Sequence, residues 1–240
     1  MKNNNKKIII NLMIVILILI SLITSGIVLV LYANKEIKEK VIIKEKKSYI
    51  QRSKKDLIQK ENVVILGDSI TELYPVKEIY DELPVLNSGV SGFKTQDILD
   101  RMDSMVYQYN PTKVILLIGI NDLMPDKSKE NQKYVVTNIE KIIALIKEKR
   151  SSAKIYLESI YPVNTKTRDG SEADDNEAIA EVNAELEKYA KDNKVIYIDM
   201  YHELLDKDGD FAKVYTNDGL HPNTMGYAKI TSVLLPYIYE

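Results

Sequence analysis

The chain has 240 residues, 45% of them hydrophobic and 28% charged, enough for one core domain plus an appendage. It has no cysteine and two histidines. That excludes disulfides, thiolate metal sites, a cysteine nucleophile and a lipid-modified N-terminal cysteine, and it leaves no ligand spacing for a catalytic metal, so neither metal nor cofactor is expected.

The net charge of −2 hides an asymmetry. Residues 33–60 carry ten Lys/Arg against four Asp/Glu, whereas residues 61–240 carry twenty against thirty-one, a net of −11. So acidic a region is a poor nucleic-acid binder, because neutralising phosphates needs clustered cations. The basic stretch reads as a solvated linker that could also rest on anionic lipid.

The first predicted element is the 25-residue run Ile8–Tyr32, uncharged and polar only at Asn11, Ser21, Thr24 and Ser25. A bilayer core needs about 20 such residues as a helix, and a cleaved signal peptide has a shorter apolar region of about 7–15. Residues 1–34 therefore read as a short cytoplasmic tail and a transmembrane signal anchor, with the lipid bilayer as a partner. Lys2, Lys6 and Lys7 favour an inside N-terminus. The lysines after the span argue the reverse, but long C-terminal domains translocate largely regardless of charge. The expectation is a single-pass cell-membrane protein with the chain beyond the span outside. Residues 35–60 alternate Lys with Glu and contain no Gly or Pro, which predicts a helical stalk, with Glu36/Lys40 as a favourable pair.

From residue 61 short β-branched runs alternate with helical patterns. Strands are predicted at Val63–Leu66, Val85–Leu86, Val114–Ile118, Lys154–Leu157 and Val195–Ile198. Helices are predicted over about 95–108, 129–149, 175–193 and 224–238. The alternation implies an α/β fold, a three-layer α/β/α sandwich on a five-stranded parallel sheet over 61–240. The polar loop 164–174 is placed near the rim of the site.

Four polar turns close these runs: Gly67-Asp68-Ser69-Ile70, Asn87-Ser88-Gly89, Gly119-Ile120-Asn121-Asp122 and Asp218-Gly219-Leu220-His221-Pro222. A serine at a strand end, a histidine and an aspartate three residues before it are the parts of a nucleophilic serine site. Each turn alone has a plainer explanation. Ser69 could be a helix cap, Gly89 and Asn121 turn residues, and Asn217-Asp218-Gly219 a surface turn.

In their order and contexts the four blocks resemble the SGNH (GDSL-type) hydrolase superfamily over roughly residues 61–240. The run Leu86–Gly92, followed by Thr95 and Asp97, is most similar to the platelet-activating-factor acetylhydrolase-like branch. Ile70 stands where the family name expects leucine. The resemblance implies Ser69 as nucleophile, His221 as base and Asp218 as its orienting carboxylate. It implies an oxyanion hole made by the Ser69 N–H, the Gly89 N–H and the Asn121 amide. Asp68 and Asp122 are read as supporting or capping groups, Asn223 as a cap and Gly226 as a close-packing point. Tyr161-Pro162 is placed on the pocket wall. His202 is read as a surface or rim histidine without an orienting aspartate.

The function expected is a serine esterase that removes short acyl groups, acetyl above all, from a carbohydrate or other small ester. The same triad would serve an acyltransferase to a glycan hydroxyl. The non-enzymatic alternative is a membrane-tethered glycan-binding module on the same scaffold. The sequence leaves oligomeric state open.

Overall fold

The structure is a computed structural model and describes residues 62–81, 83–172 and 174–240. The Ile8–Tyr32 span and the 35–60 stalk lie outside the described residues. Among the described residues no helix is long and apolar enough to cross a membrane.

Five parallel strands form one sheet: β1 Val63–Gly67, β2 Val85–Gly89, β3 Lys113–Leu117, β4 Lys154–Glu158 and β5 Ile196–Ile198. Their order is β2-β1-β3-β4-β5. β1 and β3 are buried along their whole length, which explains why Val63–Leu66 and the part of β3 after Lys113 read as unbroken apolar runs. The chain leaves β1 for β2 on one side and returns to β3 on the other. The β1/β3 boundary is thus the topological switch point, where ligands of open α/β sheets sit beyond the carboxyl ends of the strands.

The helices are α1 Ser69–Glu72, α2 Val76–Tyr80, α3 Thr95–Leu99, α4 Met102–Met105, α5 Ile120–Leu123, α6 Lys129–Lys149, α7 Asp175–Asp192, α8 Met200–Leu204 and α9 Thr224–Tyr239. Helix α6 packs against α3 and α7, making one layer. Its buried stripe includes Ile139, Ile142, Ile143 and Ile146. Across the sheet, the segment joining α1 to α2 packs on α9. Tyr74 stacks on Tyr227 with ring centroids 5.4 Å apart, and its hydroxyl lies 2.9 Å from Thr231 Oγ1.

The long helices fall where the periodicity puts them. The region 95–108 differs. It breaks into α3, α4 and a 3₁₀ turn at Tyr107–Tyr109. The cause is tertiary: Ser88 Oγ on β2 donates to Met105 O, and Arg150 reaches Tyr107 O, so this stretch is shaped by distant partners. At the amino end of the central strand β3, buried Lys113 Nζ donates to Ile238 O and so caps the end of α9.

Candidate active site

Strand β1 ends at Gly67 and the chain turns directly into α1. The helix cap is Asp68, whose Oδ1 accepts the Ile70 N–H at 2.9 Å. This frees the Ser69 hydroxyl from the capping role that serine often takes. Ser69 Oγ lies 3.0 Å from His221 Nε2, and His221 Nδ1 lies 2.7 Å from Asp218 Oδ2. With Nδ1 holding its proton toward the carboxylate, Nε2 is left to accept from the serine.

The loop carrying Asp218 and His221 is tightly organised. Asp218 Oδ1 accepts the Leu220 and His221 N–H groups at 2.9 and 2.8 Å, so one carboxylate both folds the turn and orients the ring. The Thr216 hydroxyl lies 2.9 Å from His221 O and accepts the Gly219 N–H. Burial pushes the Asp218 carboxyl up. The hydrogen bonds from the His221 ring and from two backbone N–H groups outweigh it and hold the group down at about 2. Asp218 is therefore an anion throughout the range in which a histidine changes charge.

Gly219 has φ +83°, and a Cβ there would fall 2.7 Å from Arg168 N and 2.9 Å from Asn164 O. Asn164 N donates to Gly219 O at 2.8 Å. The loop 164–174 thus packs against the histidine turn, as its expected place near the rim requires. The carboxylates of Glu172, Asp174 and Asp175 in and beside this loop are drawn together by Lys127, at 2.6, 3.7 and 3.0 Å.

Gly89 ends β2 against α1. A Cβ on it would lie 2.6 Å from Thr71 C and 2.8 Å from Asp68 O, and closer still to Glu72 N. Its N–H donates to Asn87 Oδ1 at 2.9 Å. Asn121 sits in the first turn of α5, and its Nδ2 donates to Phe93 O at 3.0 Å, which leaves its second amide hydrogen for another acceptor. Asp122 accepts from Thr95 N and Oγ1 at 3.0 and 2.9 Å and so locks α5 to α3.

Asp68 is fully buried, and among the described residues its Oδ2 has no hydrogen-bond partner. Burial raises its carboxyl to about 6, against the opposing pull of the Ile70 N–H and of His221. Asn223 caps α9 as expected, accepting from Met225 N and Gly226 N. Gly226 is a close-packing point, since a Cβ there would meet Tyr215 O and Pro222.

Two readings of the sequence need correction. Tyr161 does not line an open pocket. It is 2% exposed, and its hydroxyl donates to the buried Glu158 carboxylate at 2.6 Å, so its polar end is satisfied in the interior. His202 does have an aspartate three residues earlier. Its Nδ1 lies 2.7 Å from Asp199 Oδ2, in an exposed pair. The Asp-x-x-His spacing therefore does not single out the base; of the two histidines, His221 is the one placed against Ser69.

Two organising residues escaped sequence reasoning. Asn87 Nδ2 donates to Thr71 O and Tyr74 O at 2.7 and 3.1 Å, which ties α1 to β2. Thr216 braces the Asp218–His221 turn. The only available hints were an Asn at a strand end and a Thr two places before an Asp, both common turn chemistry.

A doubly wound α/β domain with serine, histidine and aspartate in hydrogen-bonding sequence beyond the strand ends has the constitution of a serine hydrolase. The chain belongs to the GDSL-like Lipase/Acylhydrolase family, whose model matches residues 65–229. It is a serine esterase-type hydrolase of that family. It is 30% identical over 169 residues to N-acylneuraminate cytidylyltransferase of Escherichia coli, and the match covers 69% of this chain and 38% of that protein's length. It is 26% identical over 198 residues to platelet-activating factor acetylhydrolase IB subunit alpha2 of Bos taurus, covering 75% of this chain and 76% of the relative. The crystal structure of a GDSL-like lipase from Bacteroides thetaiotaomicron is similar with a TM-score of 0.64 and 25% identity, over 74% of this chain and 87% of that one.

Proposed function

We propose that this protein hydrolyses short-acyl esters, acetyl above all, of a carbohydrate or another small alcohol through a covalent acyl-enzyme on Ser69. The observation that carries the reading is the unbroken relay from Ser69 Oγ to His221 Nε2, and from His221 Nδ1 to Asp218 Oδ2. The likeness to an acetylhydrolase supports the short acyl group.

Ser69 Oγ attacks the ester carbonyl carbon while its proton passes to His221 Nε2. The new imidazolium is stabilised by the Asp218 carboxylate. Negative charge develops on the carbonyl oxygen, toward the Ser69 N–H at the start of α1 and the uncommitted Asn121 amide hydrogen. The Gly89 N–H can contribute by sharing itself between Asn87 Oδ1 and the oxyanion. One such donor is typically worth about 10²–10³ in turnover. Collapse breaks the ester C–O bond, and His221 returns its proton to the departing alcohol. Water then repeats the sequence on the acyl-enzyme and restores Ser69.

The membrane anchor, the stalk and an external catalytic domain belong to the same proposal. Asn62 enters the domain at the amino edge of the sheet, bonded to Thr112 Oγ1 at 3.0 Å, whereas Ser69 stands at the carboxyl edge.

The test is aryl-acetate hydrolysis by wild type and Ser69→Ala, with fluorophosphonate labelling. Wild type should turn over and label at Ser69, and the variant should do neither. Wild-type turnover by Ser69→Ala would overturn the nucleophile assignment. Protease added to intact cells should digest the catalytic domain and spare a cytosolic marker; protection until lysis would reverse the orientation.

A further inference from the structure

Between α2 and the first two turns of α9 lies a groove of about 670 Å³, lined chiefly by Leu73, Pro75, Ile79, Pro222, Tyr227 and Ala228. That is within the usual range of small-ligand sites, about 300–1,000 Å³. Leu73 is 54% exposed, so its apolar side chain is open to a ligand in the groove. The polar groups along the wall are mostly committed. Asn223 caps α9 and donates to Val214 O and Asn217 Oδ1. The Thr231 hydroxyl donates to Tyr227 O. Apart from Thr224 at the exposed rim, the groove offers a ligand carbon.

Two links join this groove to Ser69. Pro222 directly follows His221. Leu73 ends α1, with its N–H bonded to Ser69 O at 3.0 Å, one helical turn or about 5.4 Å along the axis from the nucleophile. The chemistry then fixes which half of the substrate faces it. In the tetrahedral intermediate the oxyanion points toward Asn121 and Gly89. The alcohol oxygen must face His221 Nε2, because it takes its proton from there. The substituent beyond that oxygen departs on the side of His221 and Pro222.

We infer that this groove is the leaving-group subsite, and that the alcohol half of the substrate presents an alkyl or aryl surface to Leu73, Ile79, Pro222 and Ala228. The inference rests on the serine-esterase reading and narrows its substrate class.

The experiment uses the full-length protein in detergent and two ester series. One holds acetyl constant and varies the alcohol from methyl through butyl to hexyl. The other holds methanol constant and lengthens the acyl group to butyryl and hexanoyl. The alcohol series should show kcat/KM rising with length, with a ceiling of about fourfold per buried methylene. The acyl series should show no such rise. Leu73→Asp and Ala228→Trp both alter exposed positions, with folding checked by thermal melting. Each should lower the hexyl-to-methyl ratio of the alcohol series by tenfold or more.

A flat alcohol series overturns the inference, as do ratios unchanged in both variants or an effect confined to acyl length. Preference for an acetylated sugar over hexyl acetate overturns it in favour of a hydroxyl-rich alcohol. If no ester is hydrolysed and Ser69 takes no fluorophosphonate, the esterase reading falls and this inference with it. Labelling together with a flat alcohol series removes the groove alone.

Discussion

Gly89→Ala separates the packing of the site from its hydrogen bonding. Alanine keeps the backbone N–H, so no oxyanion donor is deleted. Its methyl group would lie 2.6 Å from Thr71 C, 2.8 Å from Asp68 O and nearer still to Glu72 N. All three are backbone atoms of α1 or its cap, and none can rotate away. Ordinary contact between such atoms needs about 3.5 Å, so β2 and α1 must part by about 1 Å. Overpacking of this kind costs about 1–3 kcal/mol, and for a domain of this size that lowers Tm by about 3–10 °C. Helix α1 carries Ser69, and a 1 Å displacement of a reacting group can cost about 10² in rate. The 3.0 Å contact between Ser69 and His221 should open. Aryl-acetate kinetics and thermal melting read both effects. Gly92→Ala is the control: at φ +77° it is strained, but among the described residues its methyl group meets nothing within 4 Å, so it should cost about 1 kcal/mol of stability with little change in rate. Wild-type kcat/KM in a folded Gly89→Ala protein would refute the reasoning.

Asp218→Asn and His221→Ala should each lower kcat by at least about 10²-fold, whereas His202→Ala should stay within about twofold despite its own aspartate partner; greater damage from His202→Ala would reassign the base. Thr216→Val should lower kcat with little change in KM, and Thr216→Ser should restore it, because the hydroxyl braces the Asp218–His221 turn. Burial raises Glu158 from 4.5 to about 7, so the folded protein holds a proton there that the unfolded chain releases at lower pH. That contribution to stability is fully present below about pH 4.5 and is lost as pH rises through 7, a change of up to about 3 kcal/mol. Glu158→Gln should therefore flatten denaturant-measured stability across this window and exceed wild type at pH 8; parallel pH curves would overturn the assignment.

The sequence by itself determined the alternation of elements in the catalytic region and the identity of the residues at the strand ends. Buried parallel strands must be continuously apolar, so Val63–Leu66 and Val114–Ile118 announce themselves, and the stripe through Ile139 and Ile146 fixes a helix. It also named Ser69, Asp218 and His221, because a strand-end serine and an Asp-x-x-His turn are local patterns, and the family blocks gave them their order. Which histidine serves Ser69 was a tertiary decision. His202 and His221 each have an aspartate at the same spacing, and only the path of the chain after β5 sets one of them 3.0 Å from the serine. Tyr161 turns inward with a near neighbour along the chain, the buried Glu158 three residues before it. Thr216 braces only residues within five positions of itself, whereas the tie that Asn87 makes to α1 and the groove between α2 and α9 were tertiary decisions. Local patterns record what each residue does to its near neighbours along the chain. The tertiary contacts arise between segments up to 157 residues apart, which only the packed sheet and its helices bring together.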